Sequence, residues 1–214
     1  MKSYKVRIVY LLAGLLSSAL GIVITLEANI GYAPWDVLHA GLSETTGLSF
    51  GLISIIVGVI IIVVVTLLGE KFGFGSVLAI ILSGVFIDLI LFLEIIPKAD
   101  NYVVGIIMLI VGLFILAFGS YLYIYSGFGA GPRDSLMVAL TRKTKMPVGL
   151  CRGIVEVAAT VGGWLLGGMF GVGTIISAVG VGFCIQIVFM IFKFDPTKVE
   201  HETLSKTLRH FIRK

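Results

Sequence analysis

Two short stretches of the chain carry chemically useful residues in the same pattern. The first runs from residue 31 to 38 (GYAPWDVL) and the second from 129 to 136 (GAGPRDSL). In each, a proline is followed two residues later by an aspartate. The residues of these motifs that we consider candidates for binding a solute are Gly31, Pro34, Trp35, Asp36, Gly129, Gly131, Pro132, Arg133 and Asp134.

The aspartates of the two motifs have two interpretations. Proline suits the first turn of a helix, where its missing N–H is not needed, and an aspartate just after it can accept unpaired N–H groups and face the positive helix end. Asp36 and Asp134 are therefore either helix caps or a pair of carboxylates that coordinate a cation or a cationic solute. Arg133 could recognise an anion, or it could pair with Asp134 or a lipid phosphate. Trp35 at the same motif position is most simply a membrane-interface anchor.

Three further ionisable residues fall within apolar runs: Asp88, Arg152 and Glu156. Charges inside a membrane are costly and usually face a partner or a wet cavity. Arg152 and Glu156 are four residues apart, so on a helix they can pair and hold neighbouring helices in place. Alternatively, Glu156 titrates or binds a cation during transport, or it pairs with Arg133 or Asp134. For Asp88 we consider both a hydrated helix end and a functional role, and we expect His39 to lie on the surface or in a loop.

Other kinds of chemistry have no support in the sequence. It contains no nucleophile motif, no phosphate-binding loop in a strand–helix context and no spacing of metal ligands, and Cys151 and Cys184 form no disulfide framework. We therefore predict no enzyme, no metal and no cofactor. The net charge of +4 follows the placement of cations around a membrane, described below, and we predict no nucleic-acid partner.

The composition is that of an integral membrane protein. The mean hydropathy is +1.10, and 58% of residues are hydrophobic while only 13% are charged, about half the charged share of a soluble domain. A helix needs about 20 apolar residues to cross the hydrocarbon core. Six segments qualify, at 6–26, 50–68, 75–96, 103–125, 148–168 and 173–193. The segments 34–45 and 132–143, which contain the two motifs, are too short to cross.

The two motifs belong to a repeat that covers most of the chain. A shift of 98 residues places Pro34 on Pro132, and the same shift aligns Gly14 with Gly112 and carries on without a gap to Gly75. The chain is therefore two copies of one unit, at 1–97 and 98–194, followed by a tail at 195–214. Because each copy has three spans, the second must enter the membrane from the opposite side, which predicts an inverted repeat.

The distribution of Lys and Arg predicts the orientation. Placing the N-terminus in the cytoplasm puts every one of the 16 Lys and Arg residues on that side except Lys98, as the positive-inside rule requires. Both termini are then cytoplasmic. Within the tail, Leu204, Leu208, Phe211 and Ile212 share one helical face, so the tail is either an interfacial helix on the inner leaflet or a solvated extension.

Two placements of the short helices remain open. In one, each loop dips into the bilayer and the short helix climbs back out, so that the two helix N-termini face each other as in transporters with broken helices. Such irregular backbone is tolerated only where protein or a water-filled cavity shields it. In the other placement, both short helices lie flat at the membrane interfaces and merely connect spans.

The most specific segments of the chain are 29–39 (NIGYAPWDVLH), 46–51 (TGLSFG), 127–137 (GFGAGPRDSLM) and 171–174 (GVGT). They resemble the YczE/YyaS/YitT family of bacterial integral membrane proteins, and the resemblance extends over nearly residues 1–194. It implies a six-span protein of the bacterial cytoplasmic membrane but supplies no substrate.

Together these features predict an all-α membrane protein with six transmembrane helices in two inverted three-helix repeats, each carrying a short half-helix. We expect a transporter or channel for an unknown small solute or ion, with a site between the half-helices. The alternative is a non-transporting membrane partner or assembly factor. The expected partners are the lipid bilayer and the solute, and a second copy or another membrane protein is a further candidate.

Overall fold

The computed structural model of the chain describes residues 4–69, 73–128 and 131–196, without the side chains of Phe74, Pro132 and Asp134. Gly129 and the predicted tail helix lie outside the described residues. The described part contains eight helices and no strand. They are α1 Tyr4–Glu27, α2 Pro34–Thr46, α3 Phe50–Leu67, α4 Phe74–Phe92, α5 Tyr102–Ser126, α6 Pro132–Thr144, α7 Val148–Leu165 and α8 Val172–Ile191.

Six of these helices, α1, α3, α4, α5, α7 and α8, are long and apolar enough to cross a membrane. The predicted all-α class with six apolar spans is thus confirmed. The largest differences in the bounds are at the ends of α4 and α7, which stop at Phe92 and Leu165, a few residues earlier than predicted. The short helices α2 and α6 have 13 residues each, too few to span the hydrocarbon core.

Left-handed residues end helices at equivalent positions of the two halves. Left-handed residues end α2 at Gly47 (φ 71°) and α6 at Lys145 (φ 60°), positions separated by the shift of 98. Asn29 and Gly127 are also left-handed, at φ 54° and 72°, and mark where the chain leaves the long helices α1 and α5. Because a left-handed residue stops a helix, each short helix is set off from the helices beside it.

The long helices α1 and α5 pack closely along each other. Their contact is lined by glycines, since a Cβ on Gly14 or Gly21 of α1 would strike the backbone of α5, and one on Gly112 or Gly119 of α5 would strike α1. Small residues let helix backbones approach closely in membranes. Next to this pair, α4 packs on α1 and α8 packs on α5. The short helices pack on other long helices, α2 on α7 and α6 on α3.

Hydrogen bonds between loops fix the chain ahead of each short helix. Gly173 N–H donates to the Ile30 carbonyl at 2.8 Å, and Gly75 N–H donates to the Phe128 carbonyl at 2.9 Å. These two bonds occupy equivalent positions in the repeat. Each joins the loop before a short helix to the first turn of the last long helix in the other half, so the two motifs are held by both halves together.

Candidate functional site

Two cavities lie beside the pair formed by α1 and α5. The first cavity has a volume of about 140 Å³, and the second about 280 Å³. The polar side chains that line the first cavity are Thr25, Asp36, Arg133, Arg152, Glu156 and Ser177. Those that line the second are Ser18, His39, Ser54, Ser83, Ser120, Tyr123 and Arg133.

The two cavities are built from equivalent positions of the repeat. Adding or subtracting 98 takes Thr25 to Tyr123 and Arg152 to Ser54, and most of the other lining residues pair in the same way. Two charged residues of the first cavity, Arg152 and Glu156, therefore correspond in the second to Ser54, which has a hydroxyl group, and to Gly58, which has no side chain.

Asp36 lies in the first turn of α2 and lines the first cavity. It is 4% exposed, and its Oδ1 is 3.6 Å from Nδ1 of His39. The N-cap residue of α2 is Ala33, with no side-chain hydrogen bond at the helix start. Within the described residues Asp36 therefore acts on the helix through its position near the positive end, and its carboxylate borders the cavity. The side chain of Asp134, its counterpart, lies outside the described residues.

The expectation that His39 lies on the surface or in a loop is wrong. His39 is within α2 and 2% exposed, and its ring meets Phe50 edge-on with centroids 5.6 Å apart. Burial lowers the pKa of this imidazole, against the opposing effect of the Asp36 carboxylate. His39 is buried because α2 presents this face to α3 and to the second cavity rather than to solvent.

The two motifs meet at Arg133 and Trp35. The guanidinium carbon of Arg133 lies 5.0 Å from the centre of the Trp35 ring, a distance at which a cation is attracted to the ring face. These residues hold the same position in their two motifs. Because Arg133 borders both cavities and Trp35 borders the first, this stacked pair lies where the cavities adjoin.

The other predicted residues lie along the cavities or in the segments that lead into the short helices. Pro34 is the first helical residue of α2 and lines the first cavity, while Gly131 precedes α6 and lines the second. Gly31 is left-handed at φ 114°, and a Cβ there would strike the backbone of Gly171. Gly31 thus allows the loop before α2 to press against the loop before α8. Of Pro132, only the backbone is described, at the start of α6.

Arg152 and Glu156 form the ion pair that their spacing predicts. Arg152 Nε lies 2.8 Å from Glu156 Oε1, and the side chains are 43% and 20% exposed. Both residues lie within the apolar helix α7, where an unpaired charge would be costly. The pair therefore offsets the cost of both charges, and both side chains also line the first cavity.

Ser177 was not among the predicted site residues. It is 1% exposed, and its hydroxyl has no hydrogen-bond partner among the described residues. A buried hydroxyl without a partner is unusual and costs free energy. It also lines the first cavity, so a bound solute could supply the missing partner. The only signal in the sequence is that its counterpart in the repeat is the apolar Ala79.

Asp88 serves a different purpose from the cavity residues. It accepts hydrogen bonds from Ser49 Oγ at 2.5 Å and from Gly51 N at 2.6 Å. It borders neither cavity. Asp88 instead ties α4 to the unpaired N–H groups at the start of α3.

The apolar outer helices and the charged groups enclosed between them define a multi-pass helical membrane protein. Its family follows from comparison with known sequences: the chain belongs to the "Family of unknown function (DUF6198)", whose model matches residues 5–190. Within the described residues, no group of three or more His, Cys, Asp or Glu side chains could hold a metal ion.

Three bacterial relatives support the assignment. The "Uncharacterized membrane protein YczE" of Bacillus subtilis is 36% identical over 182 residues, covering 84% of each chain. The "Uncharacterized protein YyaS" of the same organism is 27% identical and covers 92% of this chain and 96% of its own length. An "Uncharacterized protein" of Haemophilus influenzae is 29% identical and covers 74% of this chain and 72% of its own. The predicted relation to YczE and YyaS is thus confirmed. No solved structure matches the chain.

Proposed function

We propose that this protein moves a small solute or ion across the bacterial cytoplasmic membrane. The observation that carries the proposal is the pair of cavities built from equivalent repeat positions and adjoining at Arg133 and Trp35. Polar cavities enclosed by apolar spanning helices are expensive unless they serve a solute or water. Catalysis plays no part in the proposal, and neither a metal nor a cofactor is needed for it.

The proposed architecture is an inverted repeat with both termini in the cytoplasm. The recurrence of helix bounds, of left-handed helix ends and of loop-to-loop hydrogen bonds at a shift of 98 supports two copies of one unit. Since each copy has three apolar spans, the copies would face opposite sides of the membrane. The short helices α2 and α6 then act as half-helices whose first turns approach each other, as the stacking of Arg133 on Trp35 favours.

The first cavity is our proposed solute site, and its size limits the solute. A volume of about 140 Å³ is close to that of an engineered cavity that admits benzene, so the solute has about six non-hydrogen atoms or fewer. Two carboxylates and two guanidinium groups line the wall. A solute with both hydrogen-bond donors and acceptors would suit Asp36, Arg133 and the hydroxyl of Ser177.

The alternative function is that of a membrane partner or assembly factor that transports nothing. The exposed surface of α7 and α8 favours it, since Gly149, Gly153 and Gly182 have no described atom within 4 Å of the place a Cβ would occupy. Such faces suit close packing with another helix. This alternative needs neither cavity, which separates it from transport.

The proposal can be tested on purified protein with small probes. We would measure the melting temperature with methylammonium, guanidinium, acetate, glycine or phosphate, and then the flux of any stabilising probe into liposomes containing the protein. At a hundred times its Kd, a ligand stabilises the folded state by about 2.7 kcal/mol. We expect at least one probe to stabilise the protein and to be transported.

Glu156→Gln tests the site, and Glu94→Gln is its control, because Glu94 follows α4 and borders neither cavity. We expect Glu156→Gln to weaken binding and flux about tenfold, a change of 1.4 kcal/mol in binding, and Glu94→Gln to leave both unchanged. A folded protein that neither binds nor transports any probe contradicts the proposal. If the protein keeps its full activity in the cell after substitutions that remove the charges of Asp36 and Glu156, the partner function is favoured instead.

A further inference from the structure

The contact between α3 and α4 is tight near the first turn of α3. Gly51 of α3 and Gly84 of α4 lie against each other, since a Cβ on either would strike the carbonyl oxygen of the other. Asp88, one turn further along α4, accepts hydrogen bonds from Ser49 Oγ and Gly51 N at 2.5 and 2.6 Å. The glycines allow α3 and α4 to approach closely, and the hydrogen bonds of the Asp88 carboxylate stabilise the contact.

The equivalent helices of the second half are apart. A shift of 98 turns Gly51, Gly84 and Asp88 into Gly149, Gly182 and Gln186. Over their described ranges, 148–165 and 172–191, α7 does not pack along α8. Gly149 and Gly182 are exposed, and no described atom lies within 4 Å of a Cβ built on either.

The residues along α7 and α8 nevertheless suit a close contact. In the first half, Ile55 packs over Gly84, and the counterparts of these residues are both glycines, Gly153 and Gly182. The side-chain oxygen of Gln186 can accept a hydrogen bond, as Asp88 does, from the unpaired N–H groups at the start of α7.

A second contact between these helices also pairs a small residue with a large one. Gly58 of α3 packs against Ile80 of α4. Their counterparts are Glu156 and Ala178, so a small residue again faces a large one, with the sizes exchanged between the helices. Neither contact would prevent α7 and α8 from approaching as α3 and α4 do.

We infer that the protein has a second state in which the two halves exchange these arrangements. In it α7 and α8 close through Gly149 and Gly182, while the contact between α3 and α4 opens. The inference rests on the proposed transport function and describes how access to its site alternates. With the predicted orientation, the closed α3–α4 contact faces the outside and the gap between α7 and α8 faces the cytoplasm, so the present structure is the state open to the cytoplasm.

The exchange would act directly on the proposed solute site. Arg152 and Glu156 of α7 and Ser177 of α8 line the first cavity from the two helices that would move together. Closing the gap therefore brings the Glu156 carboxylate and the Ser177 hydroxyl nearer to each other. A ligand that binds one arrangement more tightly than the other shifts the balance between the states.

Distances between paired spin labels test the inference in the full-length protein in liposomes. Labels on cysteines at Leu150 and Phe183 report on α7 and α8, and labels at Leu52 and Val85, the equivalent positions, report on α3 and α4. All four side chains are exposed, and Cys151 and Cys184 would first be replaced by alanine. We expect each pair of labels to show a short and a long distance. A change that increases the short-distance population of the α7–α8 pair should decrease the short-distance population of the α3–α4 pair.

Two variants should shift the populations. Asp88→Asn weakens the hydrogen bonds that hold α3 to α4, and we expect it to raise the short α7–α8 population about tenfold, as the loss of one hydrogen bond to a charged group implies. Gln186→Glu places a carboxylate at the start of α7 and should also raise that population. Because residue 186 is not covered by other helices, this second variant disturbs no packed contact and remains informative if Asp88→Asn does not fold.

A single long α7–α8 distance in the unmodified protein and in both variants would overturn the inference. So would a short distance that disappears when labelled protein is diluted with unlabelled protein, because a second copy would then cover this face. The distances are measured without solute, so they are independent of the flux assay. Flux without exchange would refute the inference and leave transport standing, whereas exchange without flux would refute transport alone.

Discussion

The two cavities share one backbone design and differ in their chemistry. Equivalent helices of the two repeats line them. In each half, the loop before the short helix accepts a hydrogen bond from a glycine N–H of the other half. The first cavity has the ion pair of Arg152 and Glu156, where the second has Ser54 and Gly58. At equivalent positions the chain thus keeps the residues that position the helices and varies those that line the cavities. In the transport function that we propose, this divergence would let the protein recognise an asymmetric solute.

The largest expected effect comes from the helix contacts that differ between the halves. Gly51→Leu would drive a side chain into the Gly84 carbonyl and the Asp88 carboxylate. We expect it to lower the free energy of unfolding by about 3 kcal/mol, the upper end for overpacking. The measurement is thermal or denaturant unfolding in detergent.

Gly149→Leu is the matched control for this prediction. It makes the same change at the equivalent position, where no described atom lies within 4 Å. We expect a change within about 0.5 kcal/mol, as for most surface substitutions. Equal losses from both variants would mean that α7 and α8 are packed together in the folded protein.

A smaller effect is expected at Arg7 of α1. Its Nε donates to the Ser126 carbonyl at 2.8 Å and Nη2 to the Gly127 carbonyl at 3.1 Å, so it satisfies the end of α5. The equivalent residue of α5 is Gly105, which instead lets that helix press against the Ala28 carbonyl at the end of α1. The halves thus secure the same junction by different means.

Arg7→Met removes the charged donor while keeping much of the apolar stem. We expect a loss of about 2 kcal/mol in the free energy of unfolding, because hydrogen bonds to a charged group contribute about 1.5–3 kcal/mol. Arg7→Lys should recover only part of it, since lysine lacks the planar fork that reaches two carbonyls. A loss below about 0.5 kcal/mol for Arg7→Met would show that these hydrogen bonds contribute little to stability.

Much of the fold could be predicted because apolar length and helix-ending residues are local properties. The six spans and the two short helices follow from runs of about 20 residues or fewer, and the end of α2 at Gly47 follows from one left-handed glycine. The Arg152–Glu156 pair is also local, since both residues lie within two turns of one helix.

Contacts between distant helices could not be predicted in this way. The burial of His39, the hydrogen bonds of Asp88 to Ser49 and Gly51, and the stacking of Arg133 on Trp35 depend on how each helix is rotated about its axis and which helix it meets. Apolar periodicity says little about rotation in a membrane protein, because side chains facing lipid and side chains facing protein are both apolar. The repeat identified equivalent positions without showing that two of them, Trp35 and Arg133, touch.

The smallest expected effect has the opposite sign and concerns the difference between the cavities most directly. Ser177→Ala gives the first cavity the residue that the second has at the equivalent position, Ala79. Because the Ser177 hydroxyl is buried without a partner among the described residues, its removal relieves a desolvation cost of about 1 kcal/mol or more. We expect the variant to be slightly more stable, by about 0.5–1 kcal/mol, and to bind the solute more weakly. Ala79→Ser is its mirror control and should cost stability without affecting binding. If Ser177→Ala is less stable and binds the solute as before, the Ser177 hydroxyl stabilises helix packing. It would then not be part of the proposed solute site.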